Sequence, residues 1–151
     1  MSRGPDEEPE VTVTEPSVVP LGSARVIPAD QAPTRVRIAR LITARDHGSR
    51  LLLGASWSDP GERTNTWSFE PDDAAIGADD HHYGEVDEFY YVVSGRFRLT
   101  WQRGEGTDEV SGAAEFGPDD AVHLPPGWRY QLENVGAEPG FFIYGMTPTP
   151  H

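Results

Sequence analysis

Glu88-Phe89-Tyr90-Tyr91-Val92-Val93-Ser94-Gly95-Arg96-Phe97-Arg98-Leu99-Thr100-Trp101 is the stretch that decides how the chain folds. Two apolar runs flank a Ser-Gly pair, and beyond it Arg96, Arg98 and Thr100 alternate with Phe97, Leu99 and Trp101. A period of two buries one set and wets the other, and glycine tolerates the positive φ of a tight reversal, so the segment reads as a β-hairpin. Outward from it, short runs of the same kind recur at Arg35 to Thr43, Arg50 to Trp57, Thr66 to Glu70, Ala113 to Phe116, Ala121 to Leu124, Tyr130 to Glu133 and Phe141 to Met146. Strands this short, punctuated by Gly, Pro and Asp, predict an all-β sandwich or small barrel. Pro125-Pro126-Gly127 has the chemistry of a type II turn. The one helical candidate is about a turn at Ala29 to Ala32.

Composition narrows the chemistry. The 151 residues hold 25 Asp and Glu against 12 basic residues, a formal charge of −13. All twelve basic residues are arginine and there is no cysteine. Disulfides, thiol nucleophiles, thiolate metal sites and lysine Schiff bases are therefore excluded. A strongly acidic chain repels polyanions, so nucleic acid is not an expected partner. No apolar run approaches the roughly 18 residues of a membrane span, and MSRGPDEEPE lacks the basic-then-apolar order of a signal peptide. The expectation is a cytoplasmic protein with no membrane partner. Pro5, Pro9, Pro16, Pro20, Pro28 and Pro33, with five acidic residues in the first twenty, mark residues 1–34 as an acidic, Pro-rich arm. Its first twenty residues are expected to be flexible, and Ala24 to Ile27 is a candidate edge strand, within the chain or across a dimer. Residues 35–151 form the domain.

The richest chemistry sits between Glu70 and Glu88, where eight carboxylates and two of the five histidines occur without a basic residue. Most such runs are solvated loops. The spacing here adds something. His81-His82-Tyr83-Gly84-Glu85-Val86-Asp87-Glu88, then six residues and Gly95, resembles the first motif of the cupin superfamily: H-x-H, three or four residues, Glu, six residues, Gly. Gly117-Pro118-Asp119-Asp120-Ala121-Val122-His123-Leu124-Pro125-Pro126-Gly127, followed by Asn134, resembles the second. The resemblance covers residues 65 to 146 and implies a cupin-like antiparallel double-sheet barrel, or jelly roll.

The same resemblance implies a divalent metal held by the His and Glu of the first motif and a His of the second, and here the chain departs from it. One register gives His81, Tyr83 and Glu88; the other gives His82, Gly84 and Glu88. The second-motif histidine is replaced by Tyr130, whose alternation with Trp128 and Leu132 points its ring inward. The first register is preferred because phenols then replace both missing imidazoles, leaving His81, Tyr83, Glu88 and Tyr130 as a catalytic set in one cavity. A tyrosine must lose a proton near pKa 10 to ligate, so the expectation is no cofactor, or one weakly held Fe, Mn, Ni or Zn on His81, His82 and Glu88.

Three functions follow. The preferred one is acid–base chemistry on a small, ring-bearing organic ligand, as elimination, isomerisation or cyclisation, with His81 as base or acid and the tyrosines as hydrogen-bond donors. Trp101, Trp128, Phe97 and Tyr90 are candidate walls, with strand parity unresolved between Phe89 and Tyr90, Phe97 and Trp101, and Phe142 and Tyr144. The alternatives are a metal-dependent dioxygenase or isomerase, and a non-catalytic ligand-binding protein with a decayed site. A homodimer is what the resemblance implies for quaternary structure. His123, His47 and Arg63 read as surface residues.

Overall fold

Alternating apolar residues form strands wherever turns let them pair, and ten strands result among the described residues. The structure, a computed structural model, describes residues 15–32, 34–68 and 85–148. The strands are β1 (Val26–Ile27), β2 (Arg37–Ile42), β3 (Leu52–Ser58), β4 (Trp67–Ser68), β5 (Asp87–Ser94), β6 (Phe97–Arg103), β7 (Val110–Phe116), β8 (Ala121–Leu124), β9 (Arg129–Asn134) and β10 (Gly140–Thr147). They make a six-stranded sheet, β1-β2-β3-β10-β5-β8, facing a four-stranded sheet, β4-β9-β6-β7, and every pairing is antiparallel. This is the double-sheet arrangement expected from the strand pattern.

One local expectation needs correction. Ala29 to Ala32 is a hydrogen-bonded turn on the Pro28 carbonyl and not a helix. The one α-helix among the described residues, α1, is Ala44–His47. It begins where the Thr43 hydroxyl accepts from the Asp46 N–H, and it ends at Gly48, which takes φ 65. The candidate edge strand at Ala24 to Ile27 contains β1, which pairs with β2 within this chain, Val26 opposite Ala39. No helix among the described residues is long and apolar enough to cross a membrane.

The predicted hairpin is β5–β6. Along β5 the burial alternates strictly, with Glu88, Tyr90 and Val92 inside and Phe89, Tyr91 and Val93 outside. Phe97 is completely buried and packs edge-on against Phe142, ring centroids 5.3 Å apart, while Tyr90 and Phe142 meet at 4.5 Å. Aromatic burial of this kind helps to hold the two sheets together.

The two sheets are also tied by Asn134, the fixed end of the second motif. It is buried, and its Nδ2 donates to the Ser58 carbonyl of β3 at 2.9 Å and to the Glu138 carbonyl at 3.1 Å, while its Oδ1 accepts from the Gly136 N–H at 2.9 Å. Truncation strands the buried Ser58 carbonyl and removes the partner of two part-buried backbone groups. Asn134→Ala is expected to cost about 2–4 kcal/mol in urea unfolding, with the m-value unchanged. A loss under ~1 kcal/mol would show that the tie is incidental.

Candidate functional site

Strand register places the site. On the inner face of the six-stranded sheet, one row across neighbouring strands reads Leu124, Glu88, Met146, Leu52; the next reads Val122, Tyr90, Tyr144, Gly54, Arg40; a third contains Phe142, Ser56 and Ile38. Glu88 and Tyr144 are therefore diagonal neighbours on adjacent strands, within reach of a shared ligand. Gly54 is the small member of its row, and a Cβ there would lie 2.4 Å from Cζ of Tyr144. Its glycine lets the phenol lie across β3 towards Arg40.

These rows line a partly open cavity of about 40 Å³. The polar groups on its wall include Arg40, Ser56, Thr64, Trp67, Glu88 and Tyr144, set among Val36, Ile38, Leu52, Leu132, Phe142 and Met146. Some of these polar groups are already engaged. The Ser56 hydroxyl donates to the Arg37 carbonyl, and the Thr64 hydroxyl accepts from the Leu132 N–H.

Glu88 is 4% exposed, and its Oε1 has no hydrogen-bond partner among the described residues. Burial pushes its carboxyl up to about 8. The Trp67 indole nearby eases ionisation slightly, although its N–H makes no well-formed hydrogen bond. At neutral pH Glu88 is thus a protonated carboxylic acid, an uncharged donor on the cavity wall. Tyr144 is held above the ordinary tyrosine value, first by burial, with the Arg40 charge opposing and the Glu88 charge adding. It too is a neutral donor.

Tyr130 faces inward as its alternation predicts, and it is buried. Its ring lies 5.7 Å from that of Trp67, on the strand pair β4–β9. Its hydroxyl, however, donates to the carbonyl of Pro125, the first residue of its own turn. Burial raises its pKa, with the charges of Glu88 and Asp87 adding to the effect. Gly127 in that turn takes φ 105, as the turn chemistry requires.

Of the other candidate residues, Tyr90 lines the cavity, while Phe97, Trp101 and Trp128 do not. Phe97 fills the core between the sheets. Trp101 lies over Gly112, and Trp128 sits under Arg103, whose guanidinium carbon is 5.4 Å from the ring centroid. His123 is exposed and pairs with Asp87 at 2.8 Å, on the outer surface. His81, His82 and Tyr83 lie outside the described residues. Arg40, Ser56, Trp67 and Gly54 were not singled out by spacing; an isolated glycine inside the apolar run Leu51 to Ala55 is the signal that marks the close approach.

The resemblance allows for a metal on His81, His82 and Glu88. Among the described residues no three His, Cys, Asp or Glu side chains converge. Beside Glu88 stand phenols, one already donating to a carbonyl and both held neutral by burial. A neutral phenol is a poor ligand for a divalent ion, so the described donors do not fit one by themselves.

Comparison with known proteins agrees with this architecture. Residues 65–144, just over half of the chain, match the family profile described as Cupin domain. The chain is similar to the Schizosaccharomyces pombe Cnp3 cupin domain, with 12% identity, 85% of this chain and 72% of that one covered, and a TM-score of 0.59. It is similar to the Drosophila melanogaster CENP-C cupin domain, with 14% identity, 87% and 75% covered, and a TM-score of 0.60. A third likeness is to the Bacillus subtilis oxalate decarboxylase with Mn(II) centres, at 16% identity and a TM-score of 0.54, covering 77% of this chain but 26% of that one. At such identities the likeness is one of fold. No curated protein matches the chain.

Proposed function

The chain belongs to the cupin family, and from that premise we propose that it binds a small, largely apolar, carbonyl-bearing compound in the barrel and performs acid–base chemistry on it. The observation that carries the reading is Glu88: a fully buried carboxyl with an unbonded oxygen, on the wall of a cavity beside the Tyr144 phenol. A buried carboxyl without a partner costs stability, and packing alone would be served better by an apolar residue. As protonated acid and phenol, Glu88 and Tyr144 are two neutral donors set on one face. Such a pair stabilises negative charge developing on a carbonyl oxygen far more than it stabilises the neutral carbonyl. Enolisation, and the isomerisations, eliminations or cyclisations that begin with it, are the reactions this favours. The apolar wall lowers the local dielectric and sharpens both donors. His81 is proposed as the proton acceptor.

The test is proton exchange. A panel of enolisable cyclic ketones and 2-oxo acids is incubated with the protein in D₂O and followed by loss of the C–H signal in NMR. Exchange above background with at least one compound, reduced about a hundredfold by Glu88→Leu and by Tyr144→Phe, is the expected result. Exchange that survives Glu88→Leu, or no exchange with any compound, would overturn the reading.

A further inference from the structure

The strongest unexplained group outside the barrel interior is Arg129. It is 9% exposed, yet among the described residues no carboxylate lies within ion-pairing distance of it. Its Nη2 donates to the Gly104 carbonyl at 2.9 Å, and its Nε has no acceptor. Guanidinium is never deprotonated in a protein, so the charge cannot be shed by titration. A cation this deep, in a chain with 25 acidic residues to choose from, costs stability unless an anion meets it.

Its surroundings are suited to such an anion. Arg129 lies on the outer face of the four-stranded sheet, opposite Gln102, which is itself opposite Ser111. The next row is Gln131, Thr100, Ala113. These residues line a groove of about 520 Å³, which also contains Arg98 and, as its one lining carboxylate among the described residues, Glu109. The β6–β7 hairpin supplies the Gly104 carbonyl that orients the guanidinium, leaving amide and hydroxyl groups around it and no competing carboxylate in contact. A planar fork held by one carbonyl and rimmed by Gln and Ser is the arrangement that receives an oxygen anion.

We propose that this groove is a binding site for the oxyanion of a small molecule, carboxylate or phosphate, received by the Arg129 guanidinium with Gln102 and Ser111 around it. It is separate from the barrel cavity, which shares none of these residues.

The experiment titrates the full chain with sodium phosphate, with sodium succinate, and with sodium chloride at matched ionic strength, reading melting temperature and heat of binding. At a hundredfold excess over Kd, a saturable rise of roughly 5–10 °C is expected with at least one oxyanion and not with chloride. The stronger of the two responses identifies the head group. Arg129→Met keeps the apolar stem and is expected to abolish the response while leaving the anion-free melting temperature equal or higher. An equal response to chloride, or one retained in Arg129→Met, overturns the proposal. So does an Arg129→Met protein that is destabilised while the wild type binds no oxyanion, since the arginine would then serve only to hold Gly104. Should Arg129→Met not fold, the Gln102→Ala, Ser111→Ala double variant keeps the Gly104 contact. At least tenfold weaker affinity there supports the site, and unchanged affinity refutes it.

Discussion

From pH 4.5 to 8 the wild-type protein is expected to lose stability relative to Glu88→Gln, by up to roughly 5 kcal/mol. The sign follows from where the proton sits. Burial raises the Glu88 carboxyl from 4.5 to about 8 in the folded chain, so in this window the native state holds a proton that the unfolded state has released. Stability then falls as pH rises. The contribution is fully present below the unfolded value and is lost as pH passes the folded one. Glutamine cannot ionise, so the substitution removes this slope and leaves those of the other carboxylates. Urea midpoints for the two proteins, taken every half unit from pH 4 to 9, give the difference directly. Parallel curves would mean that Glu88 is solvated or paired, and the proton-donor role would go with them.

The second large effect is expected at the hairpin tip. Gly95 takes φ 89, a conformation L residues rarely adopt, and a Cβ there would lie 2.5 Å from the Cα of Gly140. The obstacle is backbone, so no rotamer change relieves it. Gly95→Ala is expected to cost about 3 kcal/mol or more, by combining strain in φ with forced separation of β5 from the start of β10. Gly22→Ala, with nothing within 4 Å and no positive φ, is the control. If the two variants unfold at the same denaturant concentration, the close approach at Gly95 is not the constraint described.

The sequence makes the sheet most legible where a strand has one wet face, as β5 and the start of β6 do. β8 runs from Ala121 to Leu124 as its pattern says, and β5 and β6 lie within a residue of theirs. The short helix at Ala44–His47 escapes because four residues carry no 3.6 periodicity, and because the apolar pattern of β2 runs straight into it; the Thr43, Asp46 and Gly48 caps were the available sign. The site divides in the same way. Glu88 and Tyr130 face inward as strand parity dictates. What parity cannot reveal is register, and register is what brings Tyr144 and Arg40 into one row through Gly54. Nor does it tell that Tyr130 is tied to Pro125, or that Trp101 and Trp128 stay outside the cavity, because those depend on how turns and hairpins close over the sheet edges.

The strand order dictates how the polypeptide is assembled. β10 follows all the other described strands but lies in the middle of the larger sheet, between β3 and β5. Its partners in β3 are more than eighty residues upstream. Until residues 140–147 arrive, β1–β3 and β5–β8 are two separate pieces, each with an unsatisfied inner edge. A nascent chain emerging from the ribosome must therefore carry exposed strand edges from the completion of β3 until β10 appears, and closure of the barrel is a long-range and comparatively slow event.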